Sequence, residues 1–228
     1  MSNKPQIDYD IAYSGSSGNA VRIENLLFDI GKPYKDIEPL VDQVDAILIS
    51  HKHPDHLNLP AYRKIRLKHP FLRIFGPMNV WVKLHNEGAD TKNFIVTHQH
   101  ETLYINGTVV KIFEAKHEAG VTTNTYECYL PSLTSFVFGT DFYDFNDLPQ
   151  GKYDAFFVEA NHDARYREYL ADKYFDGSTT AIPQWMIHST SRHTTKQRAM
   201  KYYLDHRISS DSIFEPLHKS SRFYSLDW

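Results

Sequence analysis

The chain has 228 residues, of which 41% are hydrophobic and 23% are charged, so it is long enough to bury one substantial core. The net charge of −3 argues against the broad basic face that binds a long duplex non-specifically. A single cysteine, Cys128, excludes an intrachain disulfide framework. We find no signal-peptide pattern and no apolar run of about 18 residues, which predicts a cytoplasmic protein without a membrane span.

The predicted elements alternate between strands and helices in the first part of the chain and are mainly strands from residue 94 to 158. Strands are predicted at Ile7–Tyr13, Ala20–Glu24, Leu26–Ile30, Ala46–Ile49, Leu72–Phe75, Phe94–Thr97, Glu101–Ile105, Thr108–Ala115, Thr125–Leu130, Ser135–Phe138, Ala155–Val158 and Ser212–Glu215. Helices are predicted at Tyr34–Val41, Pro60–Lys68, Asn79–Asn86, Ala164–Tyr174 and Thr195–Asp205. Two strand-rich halves, each with helices, predict two sheets packed face to face with helices outside, in one domain over residues 1–228.

Four side chains of the metal-ligand type lie within six residues, directly after the apolar run Ala46–Ile49. They are His51, His53, Asp55 and His56. The pattern His-x-His-x-Asp-His is expected only about 0.003 times by chance in such a chain. Imidazole and carboxylate groups at this density are typical ligands of zinc, manganese or iron rather than calcium. The segment therefore predicts a metal-binding loop at the end of a strand.

One loop cannot complete the coordination of two metal ions, so further ligands should come from the ends of later strands. Three candidates each follow an apolar run, at His117, Asp141 and His218. Singly, each would more often be an ordinary polar residue. Together with the loop, they form a set that predicts a site with two ions.

In chain order, these residues and their neighbours resemble the motifs of the metallo-β-lactamase superfamily. The segments Ser14–Asn19 and Leu27–Gly31 resemble its opening hairpin. The loop matches its second motif, and His117, Asp141 and His218 match its third, fourth and fifth. The likeness is strongest to the YycJ/WalJ-type branch, which is related to the ribonuclease Z and ribonuclease J groups. The resemblance implies an α/β fold, the four-layer αββα sandwich, over nearly the whole chain.

The resemblance also implies the distribution of ligands between two divalent ions, Zn2+ or Mn2+. One ion is expected at His51, His53 and His117, and the other at Asp55, His56 and His218, with Asp141 as the bridge. A carboxylate at the bridge, where thiol-using β-lactamases have cysteine, suits phosphoester chemistry. Asp55 is expected to orient the nucleophile as well as to bind metal.

The remaining candidates concern the leaving group and the substrate. His193 resembles a histidine at a helix start in the nuclease relatives, where it would donate a proton to the leaving oxygen. Alternatively, Thr194 or Thr195 is simply a helix cap and His193 a surface residue. His162 is a second candidate for the same role or for support of the site. The cations Arg192, Arg198, Lys219 and Arg222 are candidate phosphate contacts, although exposed basic residues are usually only solvated.

The leading hypothesis is a metal-dependent phosphodiesterase and nuclease, an exonuclease on single-stranded DNA or a duplex end. Asp163–Ile187 is too short for the inserted domain of ribonuclease J, and no long arm like that of ribonuclease Z is visible, which argues against RNA processing. Alternatives are a cyclic-nucleotide phosphodiesterase, a carboxyl-ester or lactone hydrolase, and a non-enzymatic metal-binding interaction protein. The expected partner is a nucleic acid or nucleotide, without a membrane, and a homo-oligomer is possible.

Overall fold

The computed structural model describes residues 5–165 and 192–220, which form two six-stranded sheets with helices beside them. The strands are β1 (Tyr9–Tyr13), β2 (Ala20–Ile23), β3 (Leu26–Phe28), β4 (Ala46–Leu48), β5 (Arg73–Gly76), β6 (Phe94–Val96), β7 (Thr102–Ile105), β8 (Thr108–Glu118), β9 (Val121–Tyr129), β10 (Ser135–Gly139), β11 (Ala155–Glu159) and β12 (Ile213–Leu217). The helices in these residues are α1 (Tyr34–Val41), α2 (Leu59–Lys68), α3 (Met78–Asn86) and α4 (Lys196–His206), and a 3-10 turn covers Phe145–Asp147.

The first sheet has the strand order β1-β2-β3-β4-β5-β6. Strands β1 to β3 are antiparallel neighbours, whereas β3 to β6 run parallel. Parallel neighbours need a crossover connection, and α1, α2 and α3 provide it between successive strands. The loops after β3, β4 and β5 therefore emerge at one edge of this sheet.

The second sheet has the strand order β12-β11-β10-β9-β8-β7. Strands β10, β11 and β12 are parallel, and β7 to β10 are antiparallel neighbours. Because β8 and β10 are both antiparallel to β9, β8 ends at the same edge as β10. The ends of β8, β10, β11 and β12 consequently meet at one edge of the second sheet.

Three apolar layers hold these elements together. One lies between the two sheets and includes Phe28 and Phe138, whose rings stack with their centroids 4.2 Å apart. A second packs the outer face of the first sheet against α1, α2 and α3. The third packs the outer face of the second sheet against α4, with Phe156 and Tyr202 in contact edge to face. The predicted four-layer αββα sandwich is confirmed.

Local sequence explains where two helices begin. At the start of α2, Asn58 Oδ1 accepts a hydrogen bond from the Ala61 N–H at 2.9 Å, and Pro60 occupies the first turn. At the start of α4, Thr195 Oγ1 accepts from the Arg198 N–H at 3.3 Å. None of the helices in residues 5–165 and 192–220 is long and apolar enough to cross a membrane.

The hairpin of β8 and β9 is longer than its sequence pattern predicts. The prediction ended the first strand at Ala115 and began the second at Thr125, because the intervening residues are polar. In the structure the pairing continues through Lys116 and Thr122, with an irregularity before Glu118. Hydrogen bonds between the backbones of β8 and β9 continue the two strands into this polar segment, where the sequence has no apolar pattern. The predicted helix Ala164–Tyr174 lies largely outside the described residues.

Candidate metal centre

The predicted ligands come from both sheets and meet at one edge of the sandwich. The loop with His51 and His56 follows β4 in the first sheet, whereas His117 is the second-last residue of β8. Asp141 and His218 follow β10 and β12 in the second sheet. These five side chains are all buried. Face-to-face packing therefore places polar groups from distant parts of the sequence in one small volume.

The first group of possible ligands consists of His51, His53, His117 and Asp141, which offer atoms within 4.8 Å of one another. His53 Nδ1 lies 3.0 Å from His51 Nε2 and 3.3 Å from His117 Nε2. Asp141 Oδ2 lies 3.5 Å from His51 Nε2 and 3.6 Å from His117 Nε2. One nitrogen of each imidazole thus faces a common centre.

The second group consists of Asp55, His56, Asp141 and His218, again with atoms within 4.8 Å of one another. His56 Nε2 lies 3.2 Å from Asp141 Oδ2 and 3.6 Å from Asp55 Oδ2. His218 Nδ1 lies 3.0 Å from Asp141 Oδ1. Asp141 therefore belongs to both groups.

The spacing fits ligands of a common ion. Ligand atoms at about 2.1 Å from a tetrahedral ion lie about 3.4 Å apart, whereas N–H···O hydrogen bonds usually measure roughly 2.7–3.2 Å. Asp55 Oδ2 is 3.6 Å from His56 Nε2 and 3.8 Å from His218 Nε2. Within the described part of the chain, His218 Nε2 is buried without a hydrogen-bond partner. The two groups therefore fit divalent metal ions.

Asp141 is a buried carboxylate that faces several imidazoles. Burial favours its neutral form, but the charges of His218 and His56 and their hydrogen bonds outweigh burial and hold the pKa of Asp141 well below its usual value. Its backbone has φ +56°, and that of His218 has φ +51°. This left-handed conformation is uncommon outside glycine and is often found where a side chain is aimed at a functional site. The carboxylate is thus ionised and rigidly placed.

Asp29 holds His56 from the opposite side of the ring. Asp29 Oδ2 lies 2.7 Å from His56 Nδ1, and the carboxylate also accepts hydrogen bonds from Ser50 N (2.7 Å) and Ser50 Oγ (3.0 Å). Burial opposes the charged form of His56, but the carboxylates of Asp141 and Asp29 outweigh it and raise the pKa of His56 to about 10. A metal ion at His56 Nε2 would therefore displace a proton.

Glu118 holds the His53 ring as Asp29 holds that of His56, from the side away from the centre. Its Oε1 lies 3.0 Å from His53 Nε2, so that His53 Nδ1 faces the centre. Its Oε2 lies 2.9 Å from Arg192 Nη1. A carboxylate behind a metal-binding imidazole fixes the ring and the tautomer. Glu118 thus ties a predicted phosphate contact to a predicted metal ligand.

Glu159 joins His193 to the centre. This fully buried carboxylate lies 2.6 Å from His193 Nδ1 and 3.4 Å from His218 Nδ1, and it accepts a hydrogen bond from Phe142 N at 2.9 Å. Burial lowers the pKa of His193, but the charge of Glu159 and its hydrogen bond outweigh burial and raise that pKa. The His193 ring centroid is 4.9 Å from that of His218 and 5.7 Å from that of His117. Glu159 and His193 also offer atoms within 4.8 Å of those of Asp141 and His218, so His193 adjoins both groups of ligands.

The other predicted site residues are placed differently. His162 is buried, but it belongs to neither ligand group, and its carbonyl accepts a hydrogen bond from the Lys196 N–H at 2.9 Å. Lys219 is exposed and directly follows His218. Arg222 lies outside the described residues.

Sequence reasoning assigned no role to Asp29, Glu118 or Glu159. Asp29 directly follows β3, and the two glutamates are the last residues of β8 and β11. This position at a strand end is the same signal that pointed to Asp141. An acidic residue at the end of a strand would have been the way to find them.

Comparison with known proteins agrees with the fold. Residues 23–205 match the family model described as the beta-lactamase superfamily domain. Exodeoxyribonuclease WalJ of Streptococcus pneumoniae is 27% identical over 238 residues, which cover 92% of this chain and 85% of WalJ.

Two solved structures are similar to this chain at identities that show the fold alone. Human tRNase Z, short form, has a TM-score of 0.63 at 16% identity and covers 94% of this chain and 93% of its own. The metallo-beta-lactamase fold protein YhfI from Bacillus subtilis has a TM-score of 0.64 at 15% identity and covers 93% and 85%. The family model itself spans most of the sequence, so the resemblance is confirmed. The chain belongs to the beta-lactamase superfamily.

Proposed function

We propose that the protein is a hydrolase with two divalent metal ions that cleaves phosphodiester bonds, and that it acts as a DNA exonuclease. The observation that carries the proposal is the position of Asp141 in both groups of ligands. A carboxylate shared in this way suits two ions roughly 3.5–4 Å apart, the arrangement of many enzymes that cleave phosphodiesters. The similarity to exodeoxyribonuclease WalJ supports DNA as the substrate, either a single strand or a duplex end.

In this proposal the ligand sets are those that the resemblance implies. His51, His53 and His117 would hold one ion, Asp55, His56 and His218 would hold the other, and Asp141 would serve both. Imidazole nitrogens together with carboxylates suit zinc or manganese. When bound, such ions lower the pKa of a water molecule and stabilise negative charge on phosphate oxygens.

Asp55 orients the attacking water. Its side chain is 23% exposed, whereas that of Asp141 is 4% exposed, so Asp55 is the carboxylate that an incoming substrate meets. Burial raises the pKa of Asp55, but the neighbouring imidazoles of His218 and His56 outweigh burial and lower that pKa. The ionised carboxylate accepts a hydrogen bond and aligns the water for attack.

His193 donates the proton that the leaving oxygen needs. Its Nδ1 donates to Glu159 Oε1, so Nε2 is the atom that exchanges protons with the substrate. Glu159 is a positioning residue, because it fixes the orientation of the ring. His162 supports the segment that carries His193, since its carbonyl accepts a hydrogen bond from Lys196 in the first turn of α4.

Phosphates of the substrate contact cations at the rim of the centre. Arg192 is 43% exposed at its side chain and is held by Glu118 beside His53. Lys219 is exposed next to His218. These two cations attract a polyanion locally although the net charge of the chain is −3. Arg222, another predicted phosphate contact, lies outside the described residues.

A substrate panel tests the proposal. The protein is stripped with a chelator, reloaded with zinc or manganese, and incubated with 5′-phosphorylated single and double strands, cyclic mononucleotides, a generic phosphodiester and a lactone. We expect strand shortening with metal and none after chelation. If only cyclic nucleotides are turned over, the protein is a cyclic-nucleotide phosphodiesterase and not an exonuclease. If only the lactone is turned over, it is a lactone hydrolase. Tight metal binding without turnover of any substrate would indicate a non-enzymatic protein.

Asp29→Asn is expected to weaken metal binding at the second group of ligands by about 10- to 100-fold, because the partner that orients His56 loses its charge. Asparagine tolerates the backbone at Asp29, where φ is +62°. Competition with a coloured chelator measures the affinity.

The matched control for this change is Asp45→Asn. Asp45 Oδ2 accepts a hydrogen bond from Asn25 Nδ2 at 2.8 Å, directly before β4 and therefore at the opposite end of that strand from His51. The control should bind metal like the wild type. If a folded Asp29→Asn variant also binds metal with wild-type affinity, Asp29 has no part in orienting His56.

A further inference from the structure

An exposed tyrosine and an arginine form a cluster beside the metal centre that neither the ligands nor the proton donor uses. Tyr143 is 49% exposed, and the guanidinium carbon of Arg198 lies 5.8 Å from the centre of its ring. Arg198 Nη1 also donates a hydrogen bond to the Tyr143 carbonyl at 3.2 Å. We propose that Tyr143, held by Arg198, is a platform on which a nucleobase of the substrate stacks. This inference rests on the proposed function and specifies its substrate.

The backbone places Tyr143 close to the residues of the centre. Tyr143 follows Asp141 by two residues, so their Cα atoms are at most about 7 Å apart. The Tyr143 N–H donates to the carbonyl of Lys116 at 3.0 Å, and Lys116 directly precedes His117. Between Asp141 and Tyr143, the N–H of Phe142 donates a hydrogen bond to Glu159. The tyrosine is therefore anchored to the same strand ends that carry the ligands.

Three contacts of Arg198 hold the tyrosine in place. Arg198 Nη2 lies 3.2 Å from Asp144 Oδ1, and the two side chains are 44% and 37% exposed. Its guanidinium also contacts the Tyr143 ring and the Tyr143 carbonyl. A cation beside an aromatic face is attracted to it, so these contacts orient the ring. A flat, partly exposed ring that is held in this way matches the aromatic face of a nucleobase.

The platform implies which DNA the site takes. A base inside a duplex is already stacked on both faces, so an unpaired base is the one that can stack most freely on a protein ring. Every base has an aromatic face, so the contact tolerates any sequence. We therefore expect the protein to act on an unpaired DNA end, with one base lying on Tyr143 while the phosphate lies at the metal centre.

The test uses single-stranded oligonucleotides that carry one abasic site at successive positions from the end. For wild-type protein, we expect kcat/KM to fall about tenfold when the missing base is the one that stacks. Tyr143→Ala should lower kcat/KM on the intact strand by a similar factor, mainly through KM, and should no longer distinguish the abasic strand. Tyr143→Phe should behave like wild type because it keeps the ring.

Tyr104→Ala is the matched control, since Tyr104 is 75% exposed on β7, the strand at the far side of the second sheet. This variant should shorten the intact and the abasic oligonucleotide at the wild-type rates. If Tyr143→Ala discriminates against the abasic strand as strongly as wild type, the platform is wrong.

A phosphorothioate strand, which resists cleavage, separates this inference from the proposed function. Its affinity for the metal-loaded protein is measured by fluorescence anisotropy. We expect Tyr143→Ala to bind it about tenfold more weakly than wild type. Weaker binding by the variant, together with no cleavage of any strand by wild type, would overturn the exonuclease and keep the platform. Equal binding by variant and wild type would overturn the platform.

Discussion

Asp141→Asn is expected to slow cleavage of single-stranded DNA by about 10³-fold or more and to reduce the number of bound ions. The change removes the one negative charge that both groups of ligands share. Asparagine is among the residues that tolerate a φ of +56°, so the backbone should keep its course. The measurement is kcat on a labelled strand, together with metal content by elemental mass spectrometry on the same sample.

Asp90→Asn, in the turn after α3, is the matched control for this variant. Asp90 is exposed, and its Oδ1 accepts a hydrogen bond only from the nearby Lys92 N–H among the described residues. The control should keep its metal content and its kcat. A folded Asp141→Asn protein with wild-type activity and two bound ions would remove the basis of the two-ion proposal.

His193→Gln is expected to slow DNA cleavage by about 10²- to 10⁴-fold, because the leaving sugar oxygen then lacks its proton donor. The size of the loss should depend on the leaving group. A p-nitrophenyl phosphodiester releases a much weaker base, which needs little protonation, so the variant should hydrolyse it almost as fast as wild type. The ratio of the two rates is the measurement.

His98→Gln serves as the control, because His98 is exposed in the turn before β7. It should leave both rates unchanged. If His193→Gln loses the same factor on DNA and on the p-nitrophenyl ester, His193 is needed for ligand placement or for binding rather than for proton donation. Measured metal content tells these two apart.

The side chains that meet at the centre could be predicted because chain order and strand ends are both visible in a sequence. His117, Asp141 and His218 each end an apolar run, and the loop from His51 to His56 has a pattern that chance rarely produces. Parallel strands then require that such ends meet at one edge of a sheet. The two-sheet sandwich could also be inferred, because the sequence shows two strand-rich halves that each contain helices.

The contacts that each acidic partner makes could not be predicted, since they depend on which loops of the two sheets face each other. Glu118 contacts both His53 and Arg192, although the three residues are far apart in the sequence. A strand-end position marks an acidic residue as a candidate, but it does not say which imidazole that residue meets. Tyr143 is a similar case, because one tyrosine among 15 acquires its place only through its contact with Arg198.

The proposed ligands are divided between the two sheets, with His51, His53, Asp55 and His56 from the first and His117, Asp141 and His218 from the second. Ions bound to these proposed ligands would therefore link the two sheets. Binding that occurs only in the folded state stabilises that state by about 2.7 kcal/mol when the free ion is at 100 times its Kd. A cell that runs short of the metal would thus lose more than catalysis. Its supply of the ion would also set how long each copy of the protein survives.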